Sequence, residues 1–166
     1  RELGVPVVGQ FDLMNHWGEA EGIETVGFNK GGTVDLNGVA VTMVPASHSS
    51  TLGTPEGPAC VGSEVGFMIR GEGKTVYVSG ETDIMADMAW MGEYYAPDVG
   101  ILSAGGYVTM DMRATAWVAK KYFNFKTVIP VHYKTFPILA QSADDLIAGL
   151  PGVDVKTPEV MEVVEL

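Results

Sequence analysis

The chain is poor in cysteine, in positive charge and in histidine. Of 166 residues, one is cysteine, ten are Lys or Arg against 21 Asp or Glu, and three are histidine. A single thiol, Cys60, excludes an internal disulfide and fits a reducing, cytoplasmic compartment. It lies in a Gly/Pro-rich stretch with no base beside it, so a nucleophilic role is disfavoured. A net charge of −11 repels phosphate backbones and anionic lipid, which argues against nucleic-acid and membrane partners. No apolar run approaches the ~18 residues of a membrane span, and no signal peptide is visible. There is also no G-x-S-x-G elbow: Ser47, Ser49 and Ser50 merely flank a histidine, so a serine nucleophile is not supported.

What is present is a globular composition, 46% hydrophobic and 19% charged, of a length that suits one domain over residues 1–166. The first residue is not Met. "RELG" followed by "VPVVG" reads as the last turn of a helix, a glycine cap and a strand, so residues are expected before Arg1. Val5 to Val8 reads as a strand and Phe11 to Glu21 as a helix. "TVDL", "NG", "VAVTMV" is a hairpin with an Asn-Gly turn, and "EVGFMIR", "GEGK", "TVYVSG" is a second. Ser47 to Ser63 reads as a long loop over a site. Helical patterns cover Ile84–Tyr95, Arg113–Phe123 and Ala143–Leu150, with buried strands "DVGIL" and "TVIPVH" between them. The last stretch, "VDVKTPEVMEVVEL", reads as two short edge strands around Pro158. Hairpins followed by strand–helix alternation predict a layered α/β or α+β sheet protein.

Three apolar strands each stop at a residue able to bind a metal. "TMVPASHSS" ends in His48, "TVYVSGETD" in Glu81 and Asp83, and "TVIPVHYKTF" in His132. Strand ends are rigid, and ligands gather at one rim of a sheet. Two imidazoles and a carboxylate suit a divalent transition ion. Spacing alone leaves the alternative open that each His closes a loop by hydrogen bonding and Glu81 is a solvated turn residue. His16 sits in a helical pattern without a second ligand at helix spacing and reads as a surface or packing residue. "LSAGGYVTMDM" is another strand end, where Gly105–Gly106 allows close backbone approach and Thr109 or Asp111 can cap the next helix.

"TMVPASHSS", "GFMIRGEGKTVYVSGETD", "PDVGILSAGGYVTM" and "VIPVHYKTFP", in that order, resemble the metallo-β-lactamase-fold hydrolases. The likeness is to their metal-dependent hydrolase branch near the ascorbate-phosphate lactonases, and it runs from about Pro6 to Val155. It implies a four-layer αββα sandwich with one or two zinc or manganese ions at the rim between the sheets. His48 then matches the lone His ligand after the second-sheet hairpin, and His132 the last His ligand. Glu81 takes the metal-bridging place of the family's Gly-Asp-Thr aspartate, with Asp83 as the alternative. The family's H-x-H-x-D-H motif is absent from these residues, which implies that the chain is the C-terminal two thirds of such a fold. The expected reaction is attack of a metal-activated water on an ester, lactone or phosphoester. Tyr107, Thr109, Tyr133 and Lys134 are candidate substrate contacts, Lys134 suiting an anionic group. The alternative is a non-catalytic fragment that binds an N-terminal piece, or a second copy of itself, through an exposed sheet edge.

Overall fold

The computed structural model describes residues 2–166. Arg1, part of the expected helix end, lies outside the described residues; Glu2 and Leu3 form a turn. β1 (Val7–Gln10) runs directly into α1 (Phe11–Glu21) and pairs in parallel with β2 (Thr25–Phe28). A seven-stranded sheet follows. Its order is β11-β10-β9-β8-β7-β4-β3, with β3 at Thr33–Leu36, β4 at Val39–Pro45, β7 at Val65–Gly71 and β8 at Lys74–Val78.

The local sequence explains the mixed pairing. Asn37-Gly38 and Glu72-Gly73 all have positive φ, the twist that a two-residue hairpin turn demands. They close β3–β4 and β7–β8 as antiparallel pairs. β9 (Val99–Ser103), β10 (Thr127–Val131) and β11 (Asp154–Val155) continue the sheet in parallel. Parallel neighbours need crossovers, and α2 (Met88–Tyr95), α3 (Met112–Tyr122) and α4 (Asp144–Gly149) supply them. Met68, Tyr77, Leu102 and Val128 face these helices and form one core with Met88, Met91, Met112, Ala116 and Leu146. Side chains alternate across a strand, so Phe67, Ile69, Val78 and Ile101 turn to the opposite face. There they are only half-buried, and Phe67 meets Phe28 of β2 at 6.4 Å between ring centroids. The chain therefore shows one sheet with α2, α3 and α4 packed on one face and β2 touching the other. Among the described residues no helix is long and apolar enough to cross a membrane.

Three sequence expectations need correction. Residues 47–63 are not a structureless loop: β5 (Thr51–Thr54) and β6 (Gly57–Cys60) pair as a small hairpin. The second helix begins at Met88, not Ile84; the Asp83 side chain accepts from the Ile84 N–H at 2.7 Å, a local turn that competes with helix. Only one terminal strand forms, β11. Pro158 has no N–H to offer, and Glu159 and Glu162 close a turn on each other instead, through the Glu162 N–H to Glu159 O and the Glu159 N–H to the Glu162 carboxylate.

Candidate metal centre

Four strand ends converge at one rim of the large sheet, and backbone hydrogen bonds stitch them together. Past β4, the Ser47 N–H donates to Thr82 Oγ1 at 3.0 Å, and Ser47 O accepts from the Asp83 N–H at 3.0 Å. Thr82 is fully buried, and its hydroxyl donates onward to Asp83 O at 2.9 Å. The β4 and β8 ends are thereby locked in register, which carries His48 to Glu81. Gly80 makes the bend before Glu81: its φ is +63°, and a Cβ there would stand 2.4 Å from Val65 O. The Met110 N–H reaches Thr82 O at 3.4 Å, and the Ala104 N–H reaches Val131 O at 3.1 Å. Past β10, His132 itself has φ +61°, a backbone state that a side-chain-bearing residue rarely adopts and that clusters at functional sites.

These turns bring both histidines to one carboxylate. His132 Nε2 lies 2.9 Å from Glu81 Oε1 and His48 Nε2 lies 3.5 Å from Glu81 Oε2. The imidazoles are mostly covered, at 22% and 26% exposure, and the carboxylate is 48% exposed. His48 Nδ1 faces Ser49 O at 3.2 Å, and its Nε2 is also 3.0 Å from the carbonyl of Val108. His132 Nδ1 is buried without a partner among the described residues.

Nitrogen and carboxylate donors around a common tetrahedral ion, each at about 2 Å, stand roughly 3.3 Å from one another. The 2.9 and 3.5 Å separations bracket that figure, so each imidazole stands from its own Glu81 oxygen about as two ligands of one ion would. Among the described residues no three such side chains form a ready-made cage. Each imidazole lies within ion-pair distance of the carboxylate, and His48 Nε2 also faces the Val108 carbonyl. An ion has to replace those contacts.

Other predicted residues lie as follows. The Asp83 carboxylate is turned onto the Ile84 N–H. Tyr107, with φ +61°, is largely exposed on the β9–α3 loop, and the Thr109 hydroxyl donates to Met110 O at 3.3 Å. Tyr133 packs on the hydrophobic core, with the Lys134 ammonium 5.4 Å from its ring centre. Asp111 caps α3 by accepting from the Ala114 N–H at 2.7 Å. His16 is exposed on α1. A cavity of about 240 Å³ between α3, β10 and α4 lies apart from this rim and has apolar walls around Lys120 and Asn124.

Glu64 stands beside His48. Its carboxyl is held below the usual carboxylate range, first by its own backbone N–H and then, against partial desolvation, by the His48 backbone N–H. No local pattern marks it, because the β5–β6 hairpin separates it from His48.

Comparison with known proteins agrees with this fold. The profile of the β-lactamase superfamily domain matches residues 8–133. A UPF0173 metal-dependent hydrolase of Ruegeria pomeroyi is 69% identical over all 166 residues, which span 72% of its length. Igni18, a metallo hydrolase of Ignicoccus hospitalis, superposes with a TM-score of 0.84 at 27% identity, over 99% of this chain and 70% of its own. Zn²⁺-bound PqqB of Methylobacterium extorquens shares the fold, with a TM-score of 0.61 at 14% identity, over 92% of this chain and 62% of its own. The chain belongs to the β-lactamase superfamily, among its UPF0173 metal-dependent hydrolases.

Proposed function

We propose that His48, Glu81 and His132 hold a divalent ion, zinc or manganese, in a hydrolase acting on an ester, lactone or phosphoester. The observation that carries this reading is the meeting of two imidazoles, from different strand ends, on the two oxygens of one carboxylate. A divalent ion supplies Lewis acidity, which makes water a nucleophile near neutral pH and offsets charge on the scissile group. The chain's own residues do the positioning. Thr82 and Ser47 hold His48 and Glu81 in register. Glu81, with two oxygens, can face two ions or keep one oxygen as a proton acceptor. Glu81 replaces a shorter aspartate by the family pattern, and the extra methylene moves its oxygens about one bond length.

The substrate is a small molecule, consistent with an open rim. The net charge of −11 argues against nucleic acid, and a single cysteine fits the cytoplasm.

A second reading has its own support. β3 stands at the edge of the large sheet, where a fragment that binds a further chain would pair with it. Metal content separates the two. The hydrolase reading expects stoichiometric zinc or manganese and metal-dependent turnover. His48→Ala and His132→Ala should each lower metal affinity at least about tenfold. Metal that stays substoichiometric even with an N-terminal segment supplied, with no turnover of esters or phosphodiesters, rejects it.

A further inference from the structure

The loops that carry the centre also hold large apolar side chains out to solvent. Ile84, three residues after Glu81, is 41% exposed; Tyr107 and Val108 are 77% and 46% exposed; Phe136 and Ile138, just past His132, are 63% and 58% exposed. Scattered exposed hydrophobes need no explanation. Backbone hydrogen bonds join the loops that carry them. The Val108 carbonyl is 3.0 Å from His48 Nε2. The 134–141 segment is pinned beside the same rim: the Ala140 N–H donates to Gly105 O and the Lys134 N–H to Ala140 O, both at 2.9 Å. Gln141 Nε2 braces it by donating to Phe136 O and Leu139 O at 2.9 and 2.7 Å. Leu139 is buried as its anchor. A braced loop that buries one apolar residue and displays two more spends free energy that burying them would recover. A group that covers Phe136 and Ile138 recovers it.

The charge near the centre narrows the choice. Over the whole chain 21 Asp or Glu stand against ten Lys or Arg, a net charge of −11 that reaches this rim. An anionic substrate meets repulsion there, and a neutral one does not.

We infer that the substrate is an uncharged carboxylic ester or lactone bearing an apolar chain or ring, held by Phe136, Ile138, Tyr107 and Val108. This rests on the hydrolase reading above and deepens it. In the reaction the water oxygen bonds to the acyl carbon and the bond from that carbon to the leaving oxygen breaks. One water proton goes to the departing alkoxide, and the acid product loses its own proton to solvent.

The test uses the full-length protein with zinc or manganese added, and four probes: p-nitrophenyl acetate, butyrate and hexanoate, and bis(p-nitrophenyl) phosphate. The kcat/KM should rise about two- to fourfold per added methylene and exceed that for the phosphodiester. Phe136→Ser with Ile138→Ser should cut the hexanoate-to-acetate ratio by about tenfold, and Phe136→Leu with Ile138→Val should restore most of it. These positions are exposed, so folding is checked simply by an unchanged melting temperature. A flat chain-length profile, a phosphodiester preference, or a ratio untouched by the serine pair overturns this inference alone. So does a serine pair that changes only oligomeric mass, since the loops then cover a second copy. No metal-dependent turnover of any probe overturns the hydrolase reading itself, and this inference with it.

Discussion

Gly105→Ala tests whether close packing of two strand-end loops sets the site. A Cβ at position 105 would stand 1.9 Å from the carbonyl oxygen of His132, 3.1 Å from its carbonyl carbon and 3.3 Å from its Nδ1. A non-bonded carbon–oxygen contact needs roughly 3.2 Å, so the loops must part by roughly 1 Å. Neither loop gives easily. Gly105 O accepts from the Ala140 N–H at 2.9 Å, and the neighbouring Ala104 N–H donates to Val131 O at 3.1 Å. The His132 ring rides on the peptide that has to move, and its Nε2 is 2.9 Å from Glu81. Overpacking of this kind costs about 1–3 kcal/mol, or about 2–4 °C of melting temperature per kcal/mol in a chain of this size. A 1 Å displacement of a reacting group costs about a hundredfold in rate. Thermal unfolding, metal affinity by competition with a chromophoric chelator, and ester turnover should all fall together. Gly53→Ala, where nothing lies within 4 Å of the added carbon, is the control and should change none of them. Metal affinity within twofold of wild type in Gly105→Ala would refute the argument.

Glu81→Asp restores the residue of the family pattern and should keep or raise metal-dependent activity, whereas Asp83→Ala should leave metal affinity unchanged. Loss in the first with no change in the second would mean that the longer side chain is required. Thr82→Val keeps the shape but removes the hydroxyl that joins Ser47 to Asp83. It should weaken metal binding about tenfold, with Thr82→Ser restoring it; equal affinities in all three would remove Thr82 from the positioning argument. Asp98 is held below the ordinary aspartate range chiefly by its hydrogen bond with Lys126, and then by the Thr75 N–H. A depressed folded-state pKa stabilises the fold above the unfolded pKa, and that stability is lost as pH falls through the folded value. Asp98→Asn should therefore flatten the acid limb of a stability-versus-pH curve and leave its shape near neutrality unchanged. An unaltered acid limb would show that the Lys126 pair contributes nothing.

Much of the fold was legible because local chemistry forces it. Asn37-Gly38 dictates a hairpin wherever the chain ends up, and the 11–21 helix was read to the residue. The Ser47–Ser63 stretch misled because glycine and proline signal turns equally well within a short hairpin and within an open loop. The terminal "VMEVVEL" carries strand-like residues, but Val160, Met161 and Val163 stay exposed; β propensity is weak without a neighbour to pair with.

By itself the sequence determined which residues could bind a cation and that each stands at the end of an apolar strand. It could not determine that they meet, since 33 and 51 residues separate them and nothing local links them. That was decided by the order of strands in the sheet and by buried contacts such as Thr82 with Ser47 and Gly105 against His132. Side chains remote in the chain become neighbours only through the packing of the whole, because backbone hydrogen bonds between strand ends set the distances that pattern and composition leave free.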